Sequence, residues 1–263
     1  MLLVSNVIVK YDPHGRMGNR MFQFAFGKIL STISDSKFYV EPISNFKNTY
    51  INNVSPLAQS NNTISLKKTY GDNCVNLDDV IQLLNLGTDI IVDSFLQRYE
   101  YYTNFKPLLE DMFKLDIIDP TPDADELVVH IRETDYKLIN TYLSDQYYID
   151  AIKKLNYDKV TIVTDNCNAS VMNTFKEMGC KILSTEPVKG FSIHNNEPIM
   201  VDYGYMLNAK HLLISHSSFS WWPAFLGDAD NIFVPDVNGM WKFPPTKDGI
   251  DLCLPTFKKL SEI

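Results

Sequence analysis

The chain has 263 residues, enough for one large domain or two small ones. Hydrophobic residues make up 45% and charged residues 21%, the balance of a globular protein and not of a disordered chain. A formal net charge of -8 argues against non-specific binding to nucleic acid or anionic membranes, which needs a basic surface, but leaves room for a local basic pocket.

In chain order, short β-branched runs alternate with amphipathic stretches, the pattern of an α/β protein. The amino terminus, Met1 to Lys10, lacks a basic region and a small-residue cleavage site, so it reads as a first strand over Asn6 to Tyr11 and not as a signal peptide. A helix follows from Asn19 to Ile33, then strands at Lys37 to Val40 and Asp89 to Phe95. Between these strands, residues 45–76 are rich in Asn and Ser with weak periodicity, and read as loop. Two prolines and four acids in Asp116 to Asp125 mark a boundary between two halves, expected at 1–119 and 120–263. Beyond it the rhythm is clear: strand Leu127–Ile131, helix Asp145–Leu155, strand Lys159–Thr164, helix Ala169–Met178, strand Lys181–Ser184, helix Val201–Ala209, strand His211–Ser215, helix Ser220–Leu226 and strand Asn231–Val234. No apolar run approaches membrane-spanning length. Cys74, Cys167, Cys180 and Cys253 show no zinc-type spacing and read as free, buried thiols of a cytoplasmic protein, which makes the sequons at Asn53, Asn61 and Asn168 chance matches.

Four segments at expected strand-to-helix junctions have side chains suited to chemistry. In His130-Ile131-Arg132-Glu133-Thr134-Asp135-Tyr136 a buried strand empties into a loop. Ligands bind at that edge of open α/β sheets, and the planar Arg fork holds two phosphate oxygens. The same residues read equally as an Arg–Asp pair that pins a loop. Gly15-Arg16-Met17-Gly18-Asn19-Arg20 lets the backbone approach a ligand at a helix start, or is a turn with Asn19 as its cap. It is neither a dinucleotide fingerprint nor a P-loop. Asp165, just past a strand, suits a base or ribose contact or a helix cap. Ser215 to Trp222 offers hydroxyls and a helix start for phosphate oxygens, or serines that cap and tryptophans that fill the core; the G-x-S-x-G elbow of serine hydrolases is missing.

Taken together these segments resemble the inverting α-1,2-fucosyltransferases. The family's G-G-L-G-N-Q-M-F-Q-like segment stands as Gly15 to Gln23, its H-x-R-R-G-D-Y motif as His130 to Tyr136, and its late D-x-x-x-M…S-S-F-S-W-W block as Asp202 through Met206 to Ser217–Trp222. The resemblance implies a GT-B-like α/β fold with two Rossmann-like halves facing a central cleft. The amino-terminal half would be the acceptor side and the carboxyl-terminal half the GDP-sugar side, with the last residues packing back on the first half. It implies transfer of L-fucose from GDP-fucose to the 2-hydroxyl of a β-galactoside-type glycan, with no metal and no cofactor beyond the donor, and it allows peripheral membrane association. By the same resemblance Arg132 is the diphosphate clamp and His130 a nucleoside or diphosphate contact. Asp165 is the guanine-reading carboxylate, Ser217, Ser218 and Phe219 hold phosphate oxygens, and Gly15, Arg16, Gly18 and Asn19 form the first loop over donor and acceptor. Asp135, Glu133 and His14 are the candidate bases, with Asp135 assigned an orienting role. The chain departs from the family at Glu133, where a second Arg is usual, at Thr134, where Gly is usual, and at Arg16. Neighbouring residues at a strand end point to opposite sides, so Glu133 is expected to face away from the phosphates. A different nucleotide sugar, or a non-catalytic GDP- or glycan-binding role, are the alternatives.

Overall fold

The computed structural model describes residues 4–51, 62–116, 120–138, 141–183, 198–235 and 249–262. The chain divides into two compact units, Met1–Lys114 with Pro244–Leu252 and Leu115–Phe243 with Cys253–Ile263.

In the first unit β1 (Asn6–Val9) leads to α1 (Met17–Ile33), β2 (Lys37–Tyr39), β3 (Thr63–Ser65), α2 (Leu66–Tyr70), α3 (Leu77–Asn85), β4 (Asp89–Val92) and α4 (Lys106–Met112). The strands are parallel in the order β2-β1-β4-β3. Parallel strands need crossovers that cover both faces, which is why Val7, Ile90 and Val92 are buried. The apolar side chains of α1 pack tightly here: the Phe24 ring lies 5.5 Å from Phe38 and 5.9 Å from Phe113. Residues 249–252 join this unit through its Arg98 edge, where Arg98 Nη1 donates to the Gly249 carbonyl at 3.1 Å and Tyr99 N to Asp251 O at 2.8 Å.

In the second unit the order along the chain is β5 (Glu126–Ile131), α5 (Thr134–Leu138), α6 (Asp145–Leu155), β6 (Lys159–Thr164), α7 (Val171–Glu177), β7 (Lys181–Ile182), α8 (Pro198–Leu207), β8 (His211–Leu213), α9 (Ser218–Leu226), β9 (Asn231–Val234) and β10 (Lys258–Lys259). Its six strands are parallel in the order β10-β9-β8-β5-β6-β7. This is the strand order of a Rossmann sheet, with β5 as its first strand and the reversal between β5 and β8. Both units are α/β with parallel sheets, as expected.

The expected elements with clear periodicity appear, and several short ones differ. Residues 45–76 are not all loop: β3 and α2 lie there, with a 3-10 turn at Lys47–Thr49, while residues 52–61 fall outside the described residues, along with Asn53 and Asn61. The three residues of β3 exist as a strand because β4 pairs with them, which no local pattern could announce. The strand expected to reach Phe95 ends at Val92, because the Asp93 carboxylate turns to accept from Lys67 N at 2.9 Å and the Ser65 hydroxyl at 2.7 Å. Helices α3 and α4 add to the expected set; α3 starts where Asn76 Oδ1 accepts from Asp78 N and Asp79 N. All four cysteines are free, but Cys180 alone among them is fully buried, and Cys167 is exposed. Among the described residues no helix is long and apolar enough to cross a membrane.

Gly27 marks the tightest helix-to-sheet contact, since a Cβ there would stand 2.6 Å from Val9 Cγ2 and 2.9 Å from Phe38 Cε2. Gly27→Ala is therefore expected to lower stability by about 1–3 kcal/mol through overpacking, read as a lower urea midpoint.

Candidate functional site

The carboxyl edge of the second sheet gathers the side chains. Register pairs Ile131 of β5 with Thr164 of β6, and one step beyond them Arg132 meets Asp165. Arg132 Nη1 lies 3.1 Å from Asp165 Oδ2, and Arg132 Nη2 lies 2.9 Å from Asp135 Oδ1. The guanidinium also sits over the Tyr136 ring, 5.8 Å from its centroid. A guanidinium has five N–H donors; with two engaged by these carboxylates, three are left to other partners.

Asp165 is fully engaged. Its Oδ1 accepts from the backbone N–H of Glu133 at 2.9 Å and of Thr134 at 3.4 Å, and its Oδ2 takes Arg132 and the Thr134 hydroxyl. A carboxylate offers about four acceptor sites, so little capacity is left for a base edge. These bonds also correct the expected loop: residues 134–138 form α5, begun at the turn that Asp165 organises. The pin reading of Arg132 is what these bonds show, and the pin orients the fork.

Across the reversal point the His130 ring is buried, and its Nδ1 lies 2.8 Å from Ser215 Oγ. Its ring centroid is 5.8 Å from that of Phe219. Burial pushes the imidazole pKa down to about 4, so it is neutral at pH 7. The Tyr136 hydroxyl donates to the His216 carbonyl at 3.0 Å and ties α5 to the segment after β8. His216 is likewise held neutral by burial, with its pKa down to about 4.

Ser217 is the N-cap of α9, its hydroxyl accepting from Phe219 N at 3.3 Å, and it is buried. Its capping role is therefore observed, and α9 starts at Ser218, two residues before the expected Ser220. Ser218 opens the helix, and Trp221 and Trp222 are fully buried core residues. Thus His130, Arg132, Asp135, Asp165, Ser217, Ser218 and Phe219 all belong to one edge of one unit. Gly15 and Arg16 lie in the first unit between β1 and α1, whereas Gly18 and Asn19 are inside the first turn of α1, whose N-cap is Arg16 and not the expected Asn19. There Gly15 N donates to Asp12 O at 2.9 Å, and a Cβ on Gly15 would come within 3.1 Å of that oxygen. Asn19 Oδ1 accepts from Gln97 Nε2 at 2.8 Å, which ties α1 to the segment after β4.

Glu133 is buried and paired with Lys137 one helical turn on, while its Oε2 has no partner among the described residues. Asp202 on α8 was quoted in the sequence motif but given no role there. Its carboxyl is buried, Oδ1 has no partner among the described residues, and burial with the nearby Asp165 charge raises its pKa to about 7. A buried polar atom left unsatisfied costs about 1–3 kcal/mol, so such a position calls for a physical explanation. The sequence signal was a single Asp inside an otherwise uncharged helix.

Two expectations follow from these bonds. Asp165→Ala removes one partner of a largely buried ion pair and should cost about 3–5 kcal/mol, whereas Asp135→Ala, a third exposed, should cost under about 1 kcal/mol; urea unfolding separates them. The pH profile has a definite shape. Two histidines with lowered folded pKa values contribute stability above about 6.5 that is lost as pH falls toward 4. Asp202, with a raised folded value, contributes stability at low pH that is lost as pH rises from about 3.8 toward 7. Two protons outweigh one, so these groups together place the maximum near pH 6.5. Asp202→Asn should remove the decline between pH 6.5 and 7.5 in chemical-denaturation curves.

No family model matches the chain. It is 24% identical over 258 residues to the α-1,2-colitosyltransferase of Escherichia coli, an alignment spanning 82% of this chain and 86% of that protein. Its fold matches that of a mutant Arabidopsis thaliana FUT1 in complex with GDP, with a TM-score of 0.52 and 13% identity over 94% of this chain and 72% of the other. The crystal structure of NodZ α-1,6-fucosyltransferase soaked with GDP-fucose aligns with a TM-score of 0.46 at 12% identity, over 85% of this chain and 93% of that one. The chain is thus similar in sequence to an α-1,2-colitosyltransferase and shares its α/β fold with a fucosyltransferase.

Proposed function

We propose that the protein is an inverting glycosyltransferase that moves L-fucose from GDP-fucose to the 2-hydroxyl of a β-galactoside-type acceptor. The observation that carries this reading is Arg132, oriented by two carboxylates at the reversal point of a Rossmann sheet with N–H donors to spare. As the glycosidic bond to the donor breaks, negative charge grows on the diphosphate leaving group. A fixed guanidinium beside it stabilises the transition state more than the ground state, which is the condition for faster chemistry. Asp135 and Asp165 act as positioning residues for that fork. The start of α9, with Ser217, Ser218 and the Phe219 backbone, adds the partial positive charge of a helix N-terminus.

Because Asp165 is engaged by Arg132 and two backbone amides, we assign reading of the donor's base edge to Asp202. Its orphan oxygen can accept from the base, and its pKa near 7 falls once a donor pairs with it. Neutral His130 lines the same edge as a hydrogen-bonding group. In this reading the burial of Glu133 on Lys137 keeps its negative charge from opposing the donor directly. The turn at Gly15 and Arg16 and the first turn of α1, with Gly18 and Asn19, are assigned to the acceptor side. The metal-free character expected of the family carries over to this reading, as does a cytoplasmic location.

A second donor is favoured by one specific finding, the colitosyltransferase relative. Colitose is L-fucose without its 3-hydroxyl, so a small change in sugar contacts separates the two. Release of free nucleoside diphosphate from a panel of GDP-fucose, GDP-colitose, UDP-sugars and dTDP-sugars with galactoside acceptors is the test. GDP-fucose should give the highest kcat/KM; a preference for UDP- or dTDP-sugars would sink the reading, and a preference for GDP-colitose would move it to the second donor. Arg132→Ala should lower kcat/KM by an amount equivalent to about 3–5 kcal/mol of transition-state stabilisation, with partial recovery in Arg132→Lys. EDTA is expected to leave turnover unchanged.

A further inference from the structure

A second pocket lies on the same unit, away from Arg132. Helices of a parallel sheet run against the strands, so the end of α6 reaches the opposite, amino-terminal edge. There a cavity of about 320 Å³ is lined by Lys154, Leu155, Asn156, Tyr157, Phe233 and Lys258. Its volume is at the low end of small-molecule sites.

Two features distinguish it from ordinary surface. The first is uncompensated charge. Among the described residues, Lys154 Nζ donates to the Leu260 carbonyl at 2.7 Å, and Lys258 Nζ contacts Asn231 Oδ1 and lies 6.0 Å from the Phe233 ring centroid. Neither contact is to a carboxylate, although the chain has eight more acids than bases. By contrast Lys159, on the neighbouring strand, is paired with both Asp123 and Asp125. The carboxyl end of α6 brings about half a negative charge, which two full ammonium charges exceed. The second feature is an apolar floor. Phe233 is buried, and Leu155, Tyr157 and Phe233 offer an aliphatic chain and two rings beside the lysines. Asn156 sits in the left-handed conformation at φ 52°, closing α6 and turning the chain so that Tyr157 faces the His211 ring at 4.9 Å.

We propose that this pocket binds a phosphate-ester anion whose phosphate bridges Lys154 and Lys258 and whose apolar or ring-bearing carrier rests on Tyr157 and Phe233. Each ammonium has three N–H donors and shows one protein hydrogen bond, which leaves donors for phosphate oxygens. Lys154 already holds Leu260, and Lys258 belongs to β10, so a bridging anion would also tie the segment 253–262 to α6. The ligand chemistry has two sources, a free phosphate monoester or a phospholipid headgroup, and the inference is independent of what Arg132 binds.

The test uses the full chain and three probes: phenyl phosphate, neutral phenol, and vesicles of phosphatidylcholine with or without phosphatidic acid. Phenyl phosphate is expected to bind in calorimetry at least ten times more tightly than phenol, weakening as salt rises. Lys154→Met/Lys258→Met, which keeps the apolar stems, should weaken phenyl phosphate at least tenfold while leaving GDP affinity unchanged. Amide exchange in residues 253–262 should slow with phenyl phosphate in the native chain and not in the double variant. Retention on phosphatidic acid vesicles, lost in the variant, would assign the lipid source; binding of phenyl phosphate without vesicle retention would assign the free ester. Equal binding of phenol and phenyl phosphate, or undiminished binding by the double variant with normal circular dichroism, would overturn the proposal. If the double variant does not fold, Lys258→Gln alone serves, with at least a threefold loss expected and no loss overturning it.

Discussion

The ion pair between Arg132 and Asp165 organises the edge on which the second unit's chemistry rests. It forms one step past the last register pair of β5 and β6, where parallel strands deliver their ends to the same side of a sheet. The Asp165 carboxylate then gathers the N–H groups of Glu133 and Thr134, which would otherwise lack partners at a strand end. That turn starts α5, α5 carries Tyr136, and Tyr136 reaches the carbonyl of His216 beyond β8. With His130 against Ser215, the reversal point of the sheet is bridged by hydrogen bonds on both sides of Arg132. A mostly buried pair of this kind adds little net stability against a well-packed apolar alternative, yet losing one partner is costly. Its gain is orientation.

The electrostatics of this edge are local. Arg132 and Lys137 stand with Asp135, Asp165 and Glu133, so the formal charges of the cluster sum to -1. An anion is therefore not drawn by a broad positive field. Under the proposed function it would gain from the directed N–H groups of an oriented guanidinium and of the α9 start, which act at hydrogen-bond range. The same crowding of acids explains Asp202, whose carboxyl is pushed toward neutrality by burial first and by Asp165 second. The replacement of a usual Arg by Glu133 is absorbed in the same way, by an exposed Lys one turn on, which keeps the edge from a larger negative excess.

Much of the architecture was legible because it has long-period or repetitive signals. The bounds of α6 are those expected, since Ser144 caps its start and Asn156 closes it in the left-handed conformation. Strands β6 and β9 likewise match, as continuous β-branched runs buried on both faces. What escaped were elements of three to nine residues, β3, α2, α3, α4 and α5, where too few residues exist to set a period and partners decide the conformation. At the site, the cluster of His130, Arg132 and Asp135 was legible as one segment, and Ser217 as a cap or ligand. Asp165 was legible as a strand-end acid, but its partner was not, because pairing between β5 and β6 is a matter of register.

The residues alone determined the class of fold and the segments proposed to carry the chemistry: alternating apolar runs specify buried parallel strands, and the candidate side chains fall just past their ends. Tertiary structure decided which of those groups are already satisfied. Asp165 is engaged by Arg132 and two amides, Glu133 is withdrawn onto Lys137, and Asp202 is left buried with an orphan oxygen. Hydrogen-bond saturation and desolvation depend on neighbours distant in the chain, so no local pattern in the sequence records them.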